Sequence, residues 1–141
     1  MEIISESFLY FIAGYLLVLL VGALHTVFNV HVMRLPARDG EKMGEAYIRT
    51  RRYHPIYNLI LFSYVGWLFM RAMPYSTGIL GIWTGVIWTL MAAVLDLVLA
   101  VLIHHPFRQS FREFYINYQP WLGLSYLAIL IGPLIGYVFV R

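Results

Sequence analysis

The sequence predicts an all-α integral membrane protein with four transmembrane helices and no separate soluble domain. Of the 141 residues, 61% are hydrophobic and only 12% are charged, whereas a typical soluble domain carries about 25% charged residues. A helix needs about 20 apolar residues to cross the hydrocarbon core of a bilayer. Four apolar runs reach or approach that length: roughly 8–33, 55–73, 78–104 and 120–140.

The first run is expected to be a retained span rather than a cleaved signal peptide. Glu2 and Glu6 stand where a signal peptide carries basic residues, and the run is longer than a signal's apolar core. The chain has no cysteine, which excludes disulfides, thiolate metal sites and iron–sulfur clusters. Residues 1–141 are therefore expected to form a single transmembrane domain.

The basic residues predict the orientation of the spans. Most of them lie between the first and second runs or between the third and fourth: Arg34, Arg38, Lys42, Arg49, Arg51, Arg52, Arg108 and Arg112. Because basic residues accumulate in cytoplasmic loops, we expect both termini outside, with the bacterial inner membrane as the expected location. The net charge of +3 then indicates contact with anionic lipid head groups rather than with nucleic acid.

The two basic loops share a pattern that indicates an internal duplication. Pro36–Lys42 and Pro106–Arg112 both read Pro-x-Arg followed by a basic residue four positions later. Each loop then leads to Tyr-x-Pro, at Tyr53–Pro55 and at Tyr118–Pro120. The repeat-like halves, about 1–73 and 74–141, would form two helical hairpins of parallel orientation, as in some transporters. The alternative is that any membrane hairpin has basic, proline- and tyrosine-rich ends.

Two glycine pairs have the spacing of close helix packing. Gly81 and Gly85 are four residues apart, as are Gly132 and Gly136. Such motifs join helices within one chain or between two chains. Since a complete pathway through so small a protein usually needs two copies, a homodimer is expected.

The first basic loop is too long for a bare turn. Residues Glu41 to Ile48 mix charged and apolar side chains, as in short helices that lie on a membrane surface. The sequence therefore predicts an interfacial helix over these residues, in the first cytoplasmic loop.

Polar residues inside the apolar runs predict a site. Asp96 is the one acid deep in any run, and His25 lies at a similar depth in the first. An ionisable residue within a span is costly and is a functional candidate by default. We expect a polar pocket in the cytoplasmic half of the bilayer, centred on these two residues, with Asn29, Asn58 and Ser125 as walls. The competing interpretation is a structural clamp, in which His25 bonds Asp96 and no ligand binds.

The remaining histidines gather near the predicted cytoplasmic surface. His31, His54, His104 and His105 could supply imidazole ligands to zinc, copper or a haem iron. Their spacing matches no metal motif, and adjacent histidines on a helix point in different directions. Metal or haem ligation is thus a secondary hypothesis.

These observations support three functions. The first is binding or translocation of a small solute or ion, in a proton-linked form if Asp96 titrates, through the polar pocket. The second is a metal- or haem-binding redox or enzyme subunit that uses the interfacial histidines. The third is an accessory membrane protein whose polar residues only hold its helices together. The sequence contains no nucleophile triad, phosphate loop or paired catalytic carboxylates.

Overall fold

The computed structural model describes residues 2–40, 42–105 and 108–140 and consists mainly of helices. Five α-helices follow one another: α1 Glu2–His31, α2 Glu45–Arg51, α3 His54–Ala72, α4 Gly78–Asp96 and α5 Trp121–Val138. Two short strands, β1 Arg38–Asp39 and β2 Lys42–Met43, lie between α1 and α2. Helix α4 continues as a π-helical extension, Leu97–Leu102, and a π-helical turn, Arg112–Ile116, precedes α5.

Within the described residues, three helical segments are long and apolar enough to cross a membrane. They are Ser5–His31 in α1, Gly78–Leu102 in α4 with its extension, and Trp121–Val138 in α5. Large apolar side chains on their outer faces are exposed, among them Leu9, Leu90 and Leu127. Such a surface is unfavourable in water and favourable against lipid chains, which is consistent with a membrane location.

The second predicted span is the helix α3. It has 19 residues but is not among the three segments that length and composition alone select. Polar residues near its ends include His54, Asn58 and Arg71. The buried face of α3 includes Phe62, Val65 and Phe69, and its exposed face carries the large hydrophobic side chains Ile56 and Ile60.

The helices pack in the order α1, α3, α5, α4, so that α3 and α5 are central. The contact between α3 and α5 is the most extensive, α1 packs on α3, and α4 packs on α5. Helices α1 and α4 touch only sparsely. This packing leaves a cleft between the two outer helices, with α3 and α5 as its floor.

Both glycine pairs are used inside the chain. A Cβ atom on Gly132 would lie 2.9 Å from the backbone of Phe62 in α3, and one on Gly136 would overlap the backbone at Trp67. A Cβ atom on Gly85 would likewise overlap the carbonyl of Leu130 in α5. The glycines therefore let the backbones of α3, α4 and α5 approach closely. Both motifs thus join helices within one chain.

Aromatic rings fill the core at the end of the bundle away from the basic loops. Phe11, Phe62, Phe69 and Trp88 are fully buried, with ring centroids 5.7–6.3 Å apart where they pack on Trp88. The Trp88 indole N–H donates to Ser7 Oγ at 3.0 Å, which gives this buried donor the partner it needs.

The loop between α1 and α3 differs from the predicted helix over residues 41–48. Strands β1 and β2 pair antiparallel, Arg38 with Met43 and Asp39 with Lys42, around a turn that contains Gly40 at φ +60°. Helix α2 begins only at Glu45, and Glu41 lies outside the described residues. A glycine in the left-handed region favours a hairpin turn over a helix, so the helix is shifted towards α3.

Candidate functional site

A cavity of about 490 Å³ occupies the cleft between α1 and the π-helical extension of α4. Its walls are largely apolar, with Val18 and Leu19 from α1, Leu99 from the extension and Ile129 from α5. Several polar side chains converge on it: Tyr15, Thr26, Tyr47, His54, Asn58, Asp96, Tyr118, Ser125 and Tyr126. Ligand sites in proteins combine this size with apolar walls and a few placed polar groups.

Asp96 is held by two tyrosine hydroxyls from two other helices. Tyr15 in α1 donates to Oδ1 at 2.6 Å, and Tyr126 in α5 donates to Oδ2 at 2.9 Å. Each carboxylate oxygen thus accepts one O–H, an arrangement that suits the ionised form. The carboxylate lies where α4 changes to π-helical backbone, a feature that often marks functional positions in helices.

His54 lies at the start of α3 and contacts two neighbouring elements. Its Nδ1 is 2.6 Å from the Tyr118 hydroxyl. Burial raises the pKa of Tyr118 above its usual range, so this hydroxyl keeps its proton, and it also lies 3.5 Å from the Arg51 carbonyl, to which it can donate. The other ring nitrogen of His54, Nε2, faces Gly22 of α1 closely enough that a Cβ atom there would lie 3.1 Å away.

The two Tyr-x-Pro motifs therefore meet at the cavity. His54 is the middle residue of the first motif and Tyr118 the first residue of the second, and they share this hydrogen bond. The duplication itself remains a prediction. Pro106 and Phe107 of the second loop's pattern lie outside the described residues.

Asn58 and Ser125 line the cavity, as the predicted pocket walls would. Each donates one hydrogen bond within its own helix: Asn58 Nδ2 to the His54 carbonyl at 2.8 Å, and Ser125 Oγ to the Trp121 carbonyl at 2.9 Å. Both residues are buried. Asn58 could offer a ligand its second N–H and its amide oxygen, and Ser125 could offer its oxygen lone pairs.

The structure does not bring His25 and Asp96 together as the centre of one pocket. His25 Nδ1 bonds the Tyr57 hydroxyl, and its ring packs edge-on against Tyr53 at 5.0 Å. His25 is not among the residues that line the cavity. The proposed His25–Asp96 clamp is therefore replaced by a clamp of tyrosines on Asp96.

The geometry of α1 explains this difference. Gly14, Gly22 and His25 lie on the side of α1 that packs on α3: Gly14 contacts Phe62, Gly22 contacts His54 and His25 bonds Tyr57. The cavity is lined by an adjacent stripe of the same helix, Tyr15, Leu19, Gly22 and Thr26. Positions 15 and 25 are ten residues apart, which at 3.6 residues per turn leaves their side chains about 80° apart around the helix axis.

Asn29 fixes α2 rather than lining the cavity. Its Nδ2 donates to the Ala46 carbonyl at 3.2 Å and to Thr50 Oγ1 at 3.1 Å. Asn29 and Thr50 are both buried. A polar residue at the end of α1 thus docks the short helix that connects to α3.

The histidines proposed as metal or haem ligands do not converge. His31 and His104 are exposed, His105 Nε2 bonds the Leu99 carbonyl at 2.6 Å, and His54 pairs with Tyr118. Across the described part of the chain, no three His, Cys, Asp or Glu side chains are placed to share a metal ion.

Sequence reasoning missed the tyrosines that build the site. They are Tyr15, Tyr118 and Tyr126, none of which was among the predicted site residues. Tyr15 carried the clearest signal, because it lies in the middle of the first apolar run. The hydroxyl of a tyrosine at that depth needs a hydrogen-bond partner, and the Asp96 carboxylate is that partner.

The chain matches no family model, no curated protein and no solved structure in the comparisons made with known proteins.

Proposed function

We propose that this membrane protein binds a small amphipathic molecule in the cavity beside Asp96. The observation that carries the proposal is the convergence of a carboxylate, a histidine and three tyrosine hydroxyls on a cavity of about 490 Å³ with apolar walls. Burying such polar groups is costly. A ligand whose polar part meets Asp96 while its apolar part meets α1 and α5 accounts for both kinds of wall.

The mouth of the cavity supports entry from the bilayer. Leu19, Val27 and Leu99 line the cavity and are themselves 40–53% exposed, so the opening lies between α1 and the π-helical extension. Both helices are long and apolar enough to cross a membrane. An opening between two such helices faces lipid, and a molecule dissolved in the bilayer reaches it laterally.

The polar cluster favours a hydroxyl, amine or carbonyl group on the ligand. Asp96 accepts hydrogen bonds, while each tyrosine hydroxyl both donates and accepts. Protonation of Asp96 would convert one acceptor oxygen into a donor and reverse the role of one tyrosine. Ligand binding would therefore be coupled to protonation of Asp96. If the protein also moves the bound solute or ion across the membrane, the same site would serve transport.

The membrane arrangement that completes this proposal has four spans. In it α3 crosses beside α1 and α5, the basic loops are cytoplasmic, and the cavity lies in the cytoplasmic half of the bilayer. The central position of α3 and the basic residues after α1 support it. The homodimer expected from the chain's size stays a prediction, because the glycine pairs are used within the chain.

A cavity-filling variant tests the function. The protein, reconstituted in nanodiscs made with a total lipid extract, is analysed by native mass spectrometry. We expect a bound small molecule on the wild type and its loss from Ala23→Phe, because Ala23 lines the cavity. Ala13→Phe is the control, since Ala13 is an exposed residue of the same helix outside the cavity lining. Equal retention by both variants, or no bound molecule on the wild type, would contradict a binding function.

A further inference from the structure

A second cavity, of about 220 Å³, lies where the two basic loops meet. Its walls come from the β-hairpin, from α2 and from the segment before α5, and its charged lining is Arg38, Lys42, Arg51, Arg108 and Glu113. These residues follow the apolar segments that end at His31 and Leu102. The cavity is therefore separate from the site beside Asp96 and lies beyond the ends of the candidate spans.

Arg51 is the buried centre of this cavity. Only 8% of the residue is exposed. Its Nη2 donates to Gln109 Oε1, and its guanidinium lies over the rings of Tyr118 at 4.3 Å and Tyr47 at 4.9 Å. Its Nε–H has no hydrogen-bond partner among the described residues. A buried N–H donor on a charged group without an acceptor is costly and needs an explanation.

Among the described residues that line this cavity, cationic side chains outnumber acidic ones. Glu113 is the one acid in this described lining, and its carboxylate already accepts from the backbone N–H and the hydroxyl of Ser110, both at 2.9 Å. These bonds hold the pKa of Glu113 below its usual value, and the charges of Lys42 and Arg51 lower it further. The described lining thus holds four cationic side chains and one carboxylate, which already accepts two hydrogen bonds.

We propose that this basic cavity binds a phosphate group, with Arg51 as its principal ligand. A guanidinium offers a planar set of donors that fits phosphate oxygens, and Arg51 lines the cavity. An anion there would also offset the cost of burying a cation whose Nε–H has no acceptor among the described residues. Arg38, Lys42 and Arg108 add the charge that a dianion needs. The phosphate belongs either to an anionic lipid head group at the membrane surface or to a soluble phosphate compound. The site goes beyond the proposed ligand of the Asp96 cavity and does not depend on it.

The first experiment measures binding of inorganic phosphate to the full chain in detergent, by the shift in thermal unfolding, with sodium chloride at equal ionic strength as reference. We expect the Arg38→Gln/Lys42→Gln double variant to raise the apparent Kd for phosphate at least tenfold. Both replaced residues are exposed, so the fold should survive. The control, Arg49→Gln/Arg52→Gln, removes the same charge from exposed residues outside the cavity and should change Kd less than twofold.

The role of Arg51 is tested with two substitutions. Arg51→Lys keeps the charge but lacks the planar set of guanidinium donors, so we expect weaker phosphate binding than in the control although the fold is retained. Arg51→Gln should abolish binding. If Arg51→Gln does not fold, the comparison of Arg51→Lys with the control double variant decides the role of Arg51. Equal Kd changes in the cavity and control double variants, or a phosphate shift no larger than that of chloride, would overturn the proposal.

The source of the phosphate is decided in nanodiscs. If a lipid supplies it, discs that contain phosphatidic acid should stabilise the wild type relative to discs of phosphatidylcholine alone, and added phosphate should have no further effect. If a soluble compound supplies it, phosphate should stabilise the protein in phosphatidylcholine discs, and phosphatidic acid should not. Stabilisation by neither would refute the site.

Discussion

Replacing Tyr15 by phenylalanine tests whether the tyrosine clamp on Asp96 joins α1 to α4. The substitution removes only the hydroxyl that donates to Asp96 Oδ1 at 2.6 Å. Tyr126 still donates to Oδ2 at 2.9 Å, so the carboxylate keeps one partner. Because α1 and α4 otherwise touch sparsely, this hydrogen bond is a main link across the mouth of the cavity.

The size of the effect follows from the chemistry of the bond. A hydrogen bond to a charged group contributes about 1.5–3 kcal/mol in soluble proteins, while bonds between membrane helices average about 0.6 and reach about 1.7 kcal/mol. The short distance and the carboxylate acceptor place Tyr15 at the upper end of the membrane range. We expect Tyr15→Phe to lower the free energy of unfolding by about 1–2 kcal/mol, about 5- to 30-fold in the folding equilibrium.

The assay is reversible unfolding in mixed detergent, with the variants combined in double-mutant cycles. Tyr64→Phe is the control, because it removes the same hydroxyl from a 54% exposed ring and should change the free energy by less than about 0.5 kcal/mol. Tyr15→Phe combined with Asp96→Asn should show a coupling of about 1 kcal/mol. His25→Ala combined with Asp96→Asn should be additive, because His25 bonds Tyr57 instead. Additivity in the first pair would refute the clamp.

Three further predictions concern packing, a loop and topology. Gly132→Ala should destabilise the protein by about 2 kcal/mol or more, because the added Cβ would press on the backbone of α3. Gly78→Ala is the control: its Cβ would make ordinary contacts of 3.5 Å, so it should be neutral or stabilising. Thermal unfolding of the two variants compares them. The pKa of Glu113 is held below its usual value by the Ser110 N–H and hydroxyl, so its stabilising contribution is complete above about pH 4.5 and is lost as the pH falls further; Glu113→Gln should flatten this acid-side loss of stability, and an unchanged pH profile would contradict the bond. A cysteine placed at Ser76 or after the C-terminus should be labelled by an impermeant reagent from outside the cell. Labelling only from the cytoplasmic side would reverse the predicted orientation.

The sequence by itself determined that the chain is a helical protein with membrane-crossing potential. Long apolar runs leave few other ways to satisfy backbone hydrogen bonds, so α1, α4 and α5 appear close to where composition predicts them. The sequence also identified Asp96, Asn58 and Ser125 as polar residues of one region, and all three line the cavity. The reason is local: a polar side chain in an apolar helix turns towards protein, whatever the detailed packing.

Only the tertiary structure decided which polar groups are partners. Helical periodicity places His25 and Asp96 at similar depth, but depth does not fix the rotation of one helix against another. The rotation of α1 is set by close contacts with α3, such as Gly14 against Phe62 and Gly22 against His54, which are not local in sequence. It turns Tyr15 rather than His25 towards Asp96. Likewise, the loop charges were visible in the sequence, but the burial of Arg51 among Tyr47, Gln109 and Tyr118 required the two loops to meet in space.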